Sequence, residues 1–277
     1  MNNLYIIIQF AKKEFLDKTT NFFIYLLTIL FLFLNIFLLY FSDVFYLKVD
    51  EIDYRSVILS VIHLQMYVIP FFSLLLSFDS ILKERELGVL NLFLSYPFNF
   101  SSVLYGKLLG YFSVIVVAFT LGFTPVIFFL KDSLLFKSEL FFFILCCFWL
   151  CFIFILLGLF ISMFFKDRTV VILYSVVCWL LFVFLYDFFF ITLLIVSDGY
   201  IPSHILNYIL LVNPVEIFKI ISVLLLLPLS ASEIFGIDIT IFNNFLLFSV
   251  VFFWFLIPFS IIPKLCLILN KRNKYVR

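Results

Sequence analysis

Charge is scarce in this chain. Lys, Arg, Asp and Glu together make 13% of its 277 residues, about half the roughly 25% of an ordinary soluble domain. There are two histidines, seven glycines and five cysteines. The low charge, beside 66% hydrophobic residues and a mean hydropathy of +1.27, excludes a soluble globular protein, because one core could not bury that much apolar surface. A net charge of +1 gives no overall footprint for nucleic acid or an acidic partner. The cysteines, Cys146, Cys147, Cys151, Cys178 and Cys266, form no C-x-x-C pair. They spell out no disulfide framework and read as small hydrophobes in a helix bundle. Cys147 and Cys151 share a helical face at i,i+4, and a soft-metal pathway is the alternative reading.

No nucleotide-binding motif is present. Gly106-Lys107 looks like the end of a P-loop, but G-x-x-x-x-G-K-[ST] needs Gly at 101 and Ser or Thr at 108, where this chain has Ser101 and Leu108. Any power for transport therefore comes from another polypeptide or from an ion gradient. Two isolated histidines, His63 and His204, do not supply the clustered chemistry of an intramembrane enzyme. A self-sufficient ion-coupled transporter calls for paired intramembrane carboxylates and more spans or inverted halves, and Asp187 is the single candidate. Phenylalanine is abundant, at 44 residues, but AT-rich coding gives the same bias and no function follows from it.

Long apolar runs dominate. A spanning helix needs about 20 predominantly apolar residues, and six runs qualify: 22–41, 56–78, 108–130, 140–165, 169–196 and 241–265. Only Lys166-Asp167-Arg168 separates the fourth from the fifth, a tight hairpin. With the N-terminus inside, the inner connections carry 13 of the 18 Lys and Arg residues and the outer ones 5. This asymmetry places both termini in the cytoplasm, in agreement with an even number of spans. The expected fold is all-α: a polytopic membrane protein of six transmembrane helices forming one domain over residues 1–277, without internal repeat, soluble domain or flexible linker.

Residues 1–20 set Leu4, Ile7, Ile8, Ala11 and Phe15 on one helical face, with Ile6 and Phe10 blurring the pattern and charges toward the end. This predicts an amphipathic helix lying in the cytoplasmic interface. The run that follows is too long for the h-region of a signal peptide, and no A-x-A site follows it. The longest outer segment, 197–240, is largely apolar between 205 and 229. It predicts short interfacial or re-entrant helices against the bundle. Asn213-Pro214 marks a helix start, with Pro214 at the first position and Glu216 in the first turn.

The densest charge cluster, Lys83-Glu84-Arg85-Glu86, lies in the cytoplasmic connection 79–107. Asp79 or Ser80 can cap a helix there. Leu82, Glu86, Val89, Leu90, Phe93 and Leu94 follow at helical spacing, and Pro97 closes the segment. Ser101 and Ser102 begin the next helix, where Gly106 and Gly110 form a small-x-x-x-small pair that permits close packing. Residue physics leaves two readings open: a solvated surface helix with internal charge pairing, or a docking helix for a soluble motor.

The run F-D-S-I-L-K-E-R-E-L-G-V-L-N-L-F-L-S-Y-P, then G-K-L-L-G, resembles the permease subunits of type-2 ABC exporters. Glu84, Arg85, Gly88, Leu90, Pro97, Gly106 and Lys107 occupy their shared E-R-x-x-G-x-L, L-x-x-P and G-K positions. Downstream, Tyr186-Asp187, Val196-Ser197-Asp198-Gly199 and Leu211-Val212-Asn213-Pro214-Val215-Glu216-Ile217-Phe218-Lys219 look like the permease family of nitrous oxide reductase copper-site maturation transporters. Lys219 stands where Arg is usual and Val89 where Thr is common. The matches touch much of 70–219; the first 55 and last 40 residues agree only in topology.

The resemblance implies a non-catalytic, homodimeric permease in the inner membrane, with ATP and Mg bound by a partner ABC ATPase and no cofactor on this chain. The ATPase would dock at the segment holding Lys83, Glu84, Arg85, Glu86, Gly88, Leu90 and Pro97, so charge reversal at Glu84 and Arg85 should uncouple it. It further implies a periplasmic β-helix copper-delivery protein as partner, with a copper lipoprotein as another candidate, and a role in assembling the copper–sulfur centre. A type-2 exporter of lipid, drug or polysaccharide is the alternative. Asp187, Asn213, Pro214, Glu216 and Lys219 are candidates for the outer partner surface or a conduit. Asp187 could pair with Lys219, cap the outer helices or line that conduit, and a structural anion is favoured over a proton relay. His63, Gln65 and Met66 are intramembrane polar or soft candidates; a packed role at a seam competes with copper contact, and no metal site is assigned.

Overall fold

A chain that offers its backbone no water over 20 residues must pair every N–H and C=O within itself, which a helix does. In a computed structural model that describes residues 3–46, 54–89, 100–130, 137–197, 202–226, 246–256 and 260, every regular element among those residues is helical. In chain order these are α1 (Asn3–Thr19), α2 (Phe22–Tyr46), α3 (Tyr54–Ser77), α4 (Leu82–Glu86), α5 (Phe100–Leu130), α6 (Lys137–Phe164), α7 (Arg168–Leu180), a π-helical turn (Leu181–Leu185), α8 (Tyr186–Val196), α9 (Ser203–Leu210), α10 (Pro214–Leu226) and α11 (Leu246–Leu256). Five stretches are long and apolar enough to cross a membrane: Phe22–Phe41, Val57–Glu86, Phe100–Phe129, Glu139–Phe164 and Arg168–Val196. The first five expected spans are therefore helices. Of the sixth, 241–265, only α11 and Ser260 lie within the described residues.

α6 is the centre of the bundle. Five consecutive residues, Phe152 to Leu156, are all buried, which requires neighbours on every side of the helix. α3 and α10 pack on α6, and α10 also touches α3. α5 receives α1 and α2 on one flank, and α7 lies against α3 and α6. The fifth span is peripheral, with Phe184, Leu185, Phe188 and Ile195 exposed.

The hairpin at 166–168 forms as expected, α6 ending at Phe164 and α7 beginning at Arg168. α10 begins at Pro214, and the Asn213 side chain accepts the Val215 N–H at 2.9 Å, the capping that the Asn-Pro pair predicts. α5 starts at Phe100, one residue before the expected Ser101, so Gly106 and Lys107 lie in its second turn. One expectation changes. The expected helix over 79–94 is interrupted: α4 is five residues long and stops at Gly88, whose φ of +71° is a left-handed conformation that turns the chain at little cost only for glycine.

Candidate functional site

The α4 region is built from parts distant in sequence. Ile81 and Leu82, at the start of α4, donate their backbone N–H groups to Ser162 Oγ on α6 at 3.1 and 3.2 Å. Asp79 and Ser80 were the expected caps, but the residue at the cap position is Ile81 and it makes no side-chain cap bond. A hydroxyl 80 residues away does that work. Arg85 then donates to the carbonyl oxygens of Phe165 and Met163, at 2.7 and 3.1 Å. Met163 lies in the last turn of α6 and Phe165 directly follows it, where carbonyls lack intrahelical partners. α4 is thus riveted to the end of the central helix.

Its four charges divide by direction. Lys83 and Glu86 are exposed, Glu84 is buried and Arg85 half-buried. Glu84 lies 2.8 Å from the ammonium of Lys107 on α5, and Glu14 of α1 lies 2.6 Å from the same ammonium. Lys107 is 2% exposed and also donates to the Ser80 carbonyl at 3.2 Å. Removing ions from water is compensated only by close pairing of this kind. A second tie joins Lys18 to Asp79 at 3.3 Å, with the Lys18 ammonium 4.9 Å from the Tyr111 ring centroid. Glu84 and Arg85 are thus both engaged inside the protein, while Lys83 and Glu86 are exposed. Leu90 and Pro97 lie outside the described residues.

α1 reaches this site because α5 carries no side chain beneath it. A Cβ at Gly106 would sit 2.5 Å from Phe10 Cβ and 2.8 Å from the Ile7 oxygen. One at Gly110 would sit 2.6 Å from Glu14 Cβ. Gly106 and Gly110 thus leave room for the close approach of α1. Ile6 and Phe10, which blur the amphipathic pattern, contribute to the packed side, while Leu4, Ile8 and Leu16 of the expected apolar side and its surroundings are exposed. Glu14 and Ser162 were not among the sequence candidates. Lys107 offered a signal: a lysine set directly against a long apolar run calls for a partner if it is buried.

Further along the bundle, Asn35 and Gln65 form a buried amide pair. Gln65 Nε2 donates to Asn35 Oδ1 at 3.0 Å, and Asn35 Nδ2 reaches the carbonyls of Phe31 and Gly122 at 2.9 and 3.2 Å. Gln65 is thus a packed link between α2, α3 and α5. Met66 belongs to the apolar core and His63 is half-buried. Cys147 and Cys151 are buried, Cys146 and Cys178 partly so. No group of three metal-ligating side chains occurs among the described residues. The His204 side chain and Cys266 lie outside them.

Asp187 lies in the first turn of α8, 19 residues after Arg168 and so roughly 28 Å of helix further on. There Glu216 of α10 is close enough to Asp187 for the two carboxyls to interact and lies 3.3 Å from Lys219. Burial pushes the Glu216 carboxyl up to about 7, with Asp187 adding to the rise and Lys219 opposing it. Asn213 donates to the Phe182 carbonyl at 2.7 Å, in the π-helical turn, and the Tyr186 hydroxyl donates to the Ile209 carbonyl. Asp187, Asn213, Pro214, Glu216 and Lys219 therefore converge, but as a junction between α8 and α10, with Asn213, Pro214 and Glu216 buried. The companion acid that the fifth span lacks comes from α10.

Two relatives match this chain in sequence at low identity. The "Probable ABC transporter permease protein NosY" of Stutzerimonas stutzeri is 26% identical over 182 residues, 60% of this chain and 63% of that protein, so the match spans less than two thirds of that relative. The protein of the same name in Pseudomonas aeruginosa is 24% identical over 218 residues, 76% of this chain and 79% of that protein. The model for the ABC-2 family transporter proteins matches residues 8–262. With five helical stretches long and apolar enough to cross a membrane among its described residues and a match over most of its length, this chain belongs to the ABC-2 family of transporter membrane proteins.

Proposed function

We propose that this chain is the non-catalytic membrane subunit of an ATP-driven complex, moved by a separate ATPase that pushes on α4. The observation that carries the reading is the two-sidedness of α4: Lys83 and Glu86 are exposed while Arg85 and the helix start are fixed to α6. A load applied to the exposed face passes directly into the central helix. ATP and Mg belong on the partner. A second copy of the chain and lipid cover the exposed apolar side of the fifth span. Both termini are cytoplasmic, 1–20 lies in the inner interface, and 197–240 meets the periplasm of a cell with an inner membrane.

The resemblance over 186–219 and the two relatives named NosY support a finer reading. In it the complex serves assembly of the copper–sulfur centre of nitrous oxide reductase, and hence denitrification. Its outer segment meets a periplasmic β-helix copper-delivery protein, with a copper lipoprotein as a further candidate. Purification of the chain from membranes that also express its genomic neighbours, followed by mass spectrometry, tests this. Recovery of an ATPase with a β-helix copper protein supports the finer reading. Recovery of an ATPase alone leaves an exporter of other cargo, and recovery of neither from folded protein defeats both. In the reconstituted complex, Lys83→Glu with Glu86→Lys should release ATP hydrolysis from control by the permease, and unchanged control would count against docking at α4.

A further inference from the structure

Lys107 is the one fully buried lysine or arginine among the described residues. Three elements meet on its ammonium: α1 through Glu14 at 2.6 Å, α4 through Glu84 at 2.8 Å, and the turn before α4 through the Ser80 carbonyl at 3.2 Å. An ammonium has three donors, so these contacts use all of them. A buried ion that loses a partner is strongly disfavoured. If α4 shifts, Glu84, Lys107 and Glu14 must shift with it or one of them is stranded.

The rest of the geometry points the same way. Gly106 and Gly110 flank Lys107 and bring the α1 backbone directly onto α5, so α1 cannot slide without clashing. Lys18, in the last turn of α1, holds Asp79 at 3.3 Å and the Leu76 carbonyl at 3.5 Å, gripping the turn that leads into α4. Between the two helices lies a cavity of about 260 Å³ lined by charged side chains, among them Lys13, Asp17, Lys83 and Glu84. α1 and α4 are therefore joined across polar space by two lysines, one of them sealed from water.

We propose that Lys107 is a positioning residue that makes α1 and α4 a single moving body. Displacement of α4 then carries the N-terminal helix, with its exposed Leu4, Ile8 and Leu16, along the membrane surface. This rests on the reading of α4 as the docking point of an ATPase. It gives α1 a part in the cycle that an interfacial anchor does not have.

The test uses the full chain in nanodiscs with its ATPase, native cysteines replaced. One spin-label pair, Leu16→Cys with Tyr174→Cys, reports α1 against the fifth span. A second, Leu87→Cys with Tyr174→Cys, reports α4. Non-hydrolysable ATP is expected to shift both distances. Lys107→Met, and the milder Glu14→Gln that leaves the Lys107–Glu84 pair in place, should reduce the shift at α1. Glu14→Gln should keep the shift at α4, a separation that a merely stabilising ion pair would not produce. A shift at α4 without one at α1 in the unaltered chain overturns the inference and leaves the docking reading standing. So does an α1 shift that survives Glu14→Gln in full. No shift at either pair, with nucleotide bound, overturns the docking reading and the inference with it.

Discussion

The guanidinium of Arg85 meets the carbonyl oxygen of Phe165 at 2.7 Å, where α6 runs out of its own hydrogen-bond donors. A second nitrogen of the same group reaches Met163 at 3.1 Å. The fork of a guanidinium suits two carbonyls at once, and an ammonium is a single point. Arg85→Ala should cost about 1.5–3 kcal/mol, as for hydrogen bonds to charged groups. Arg85→Lys should recover part of that, read as the apparent melting temperature in detergent. Equal stability of all three would mean that α4 is not held here.

Gly106 tests the seat of α1. Its α-carbon faces Phe10 and the Ile7 carbonyl with no room for a methyl group. Gly106→Ala should destabilise by about 1–3 kcal/mol, the usual range for overpacking, and should make the first 20 residues more open to limited proteolysis. Gly88→Ala, where nothing lies within 4 Å of an added Cβ, should leave α1 protected. Its effect comes from φ alone, and protection of α1 is the readout that separates the two.

The Asn35–Gln65 pair joins α2 to α3 within the apolar layer. Hydrogen bonds between spans are individually modest, averaging about 0.6 kcal/mol with a maximum of about 1.7. A double-mutant cycle of Asn35→Ala and Gln65→Ala, measured by unfolding in mixed micelles, should return a coupling in that range. Zero coupling would show that the two amides do not meet.

Glu216 makes stability depend on pH. Its folded value of about 7 stands above the ordinary 4.5, chiefly through burial and then through Asp187, against the pull of Lys219. The folded chain thus holds a proton that the unfolded chain releases. The associated stability is fully present below about 4.5 and is lost as pH rises through about 7. Melting temperatures across that window should fall with rising pH, and Glu216→Gln should flatten the profile. A profile unchanged by the substitution would assign the slope to other groups.

Much of the architecture was legible in the order of residues. The five described spans, the break at 166–168 and the start of α10 at Pro214 follow from apolar length, a charged triplet and one Asn-Pro pair. Each of these is decided within a few residues by backbone pairing and solvation, so local physics is sufficient. The charge cluster at 83–86 was legible as a cluster only. Lys83 to Glu86 fill barely more than one helical turn, too short for periodicity to tell inside from outside. That choice fell to the tertiary structure, which brings Lys107, Met163 and Phe165 to two of the four charges and leaves the others in solvent. The same holds for Ser162, an unremarked hydroxyl in an apolar run until it meets the N–H groups of Ile81 and Leu82 across 80 residues of chain. Burial direction and ion pairing at such separations depend on which helices become neighbours, and packing alone settles that.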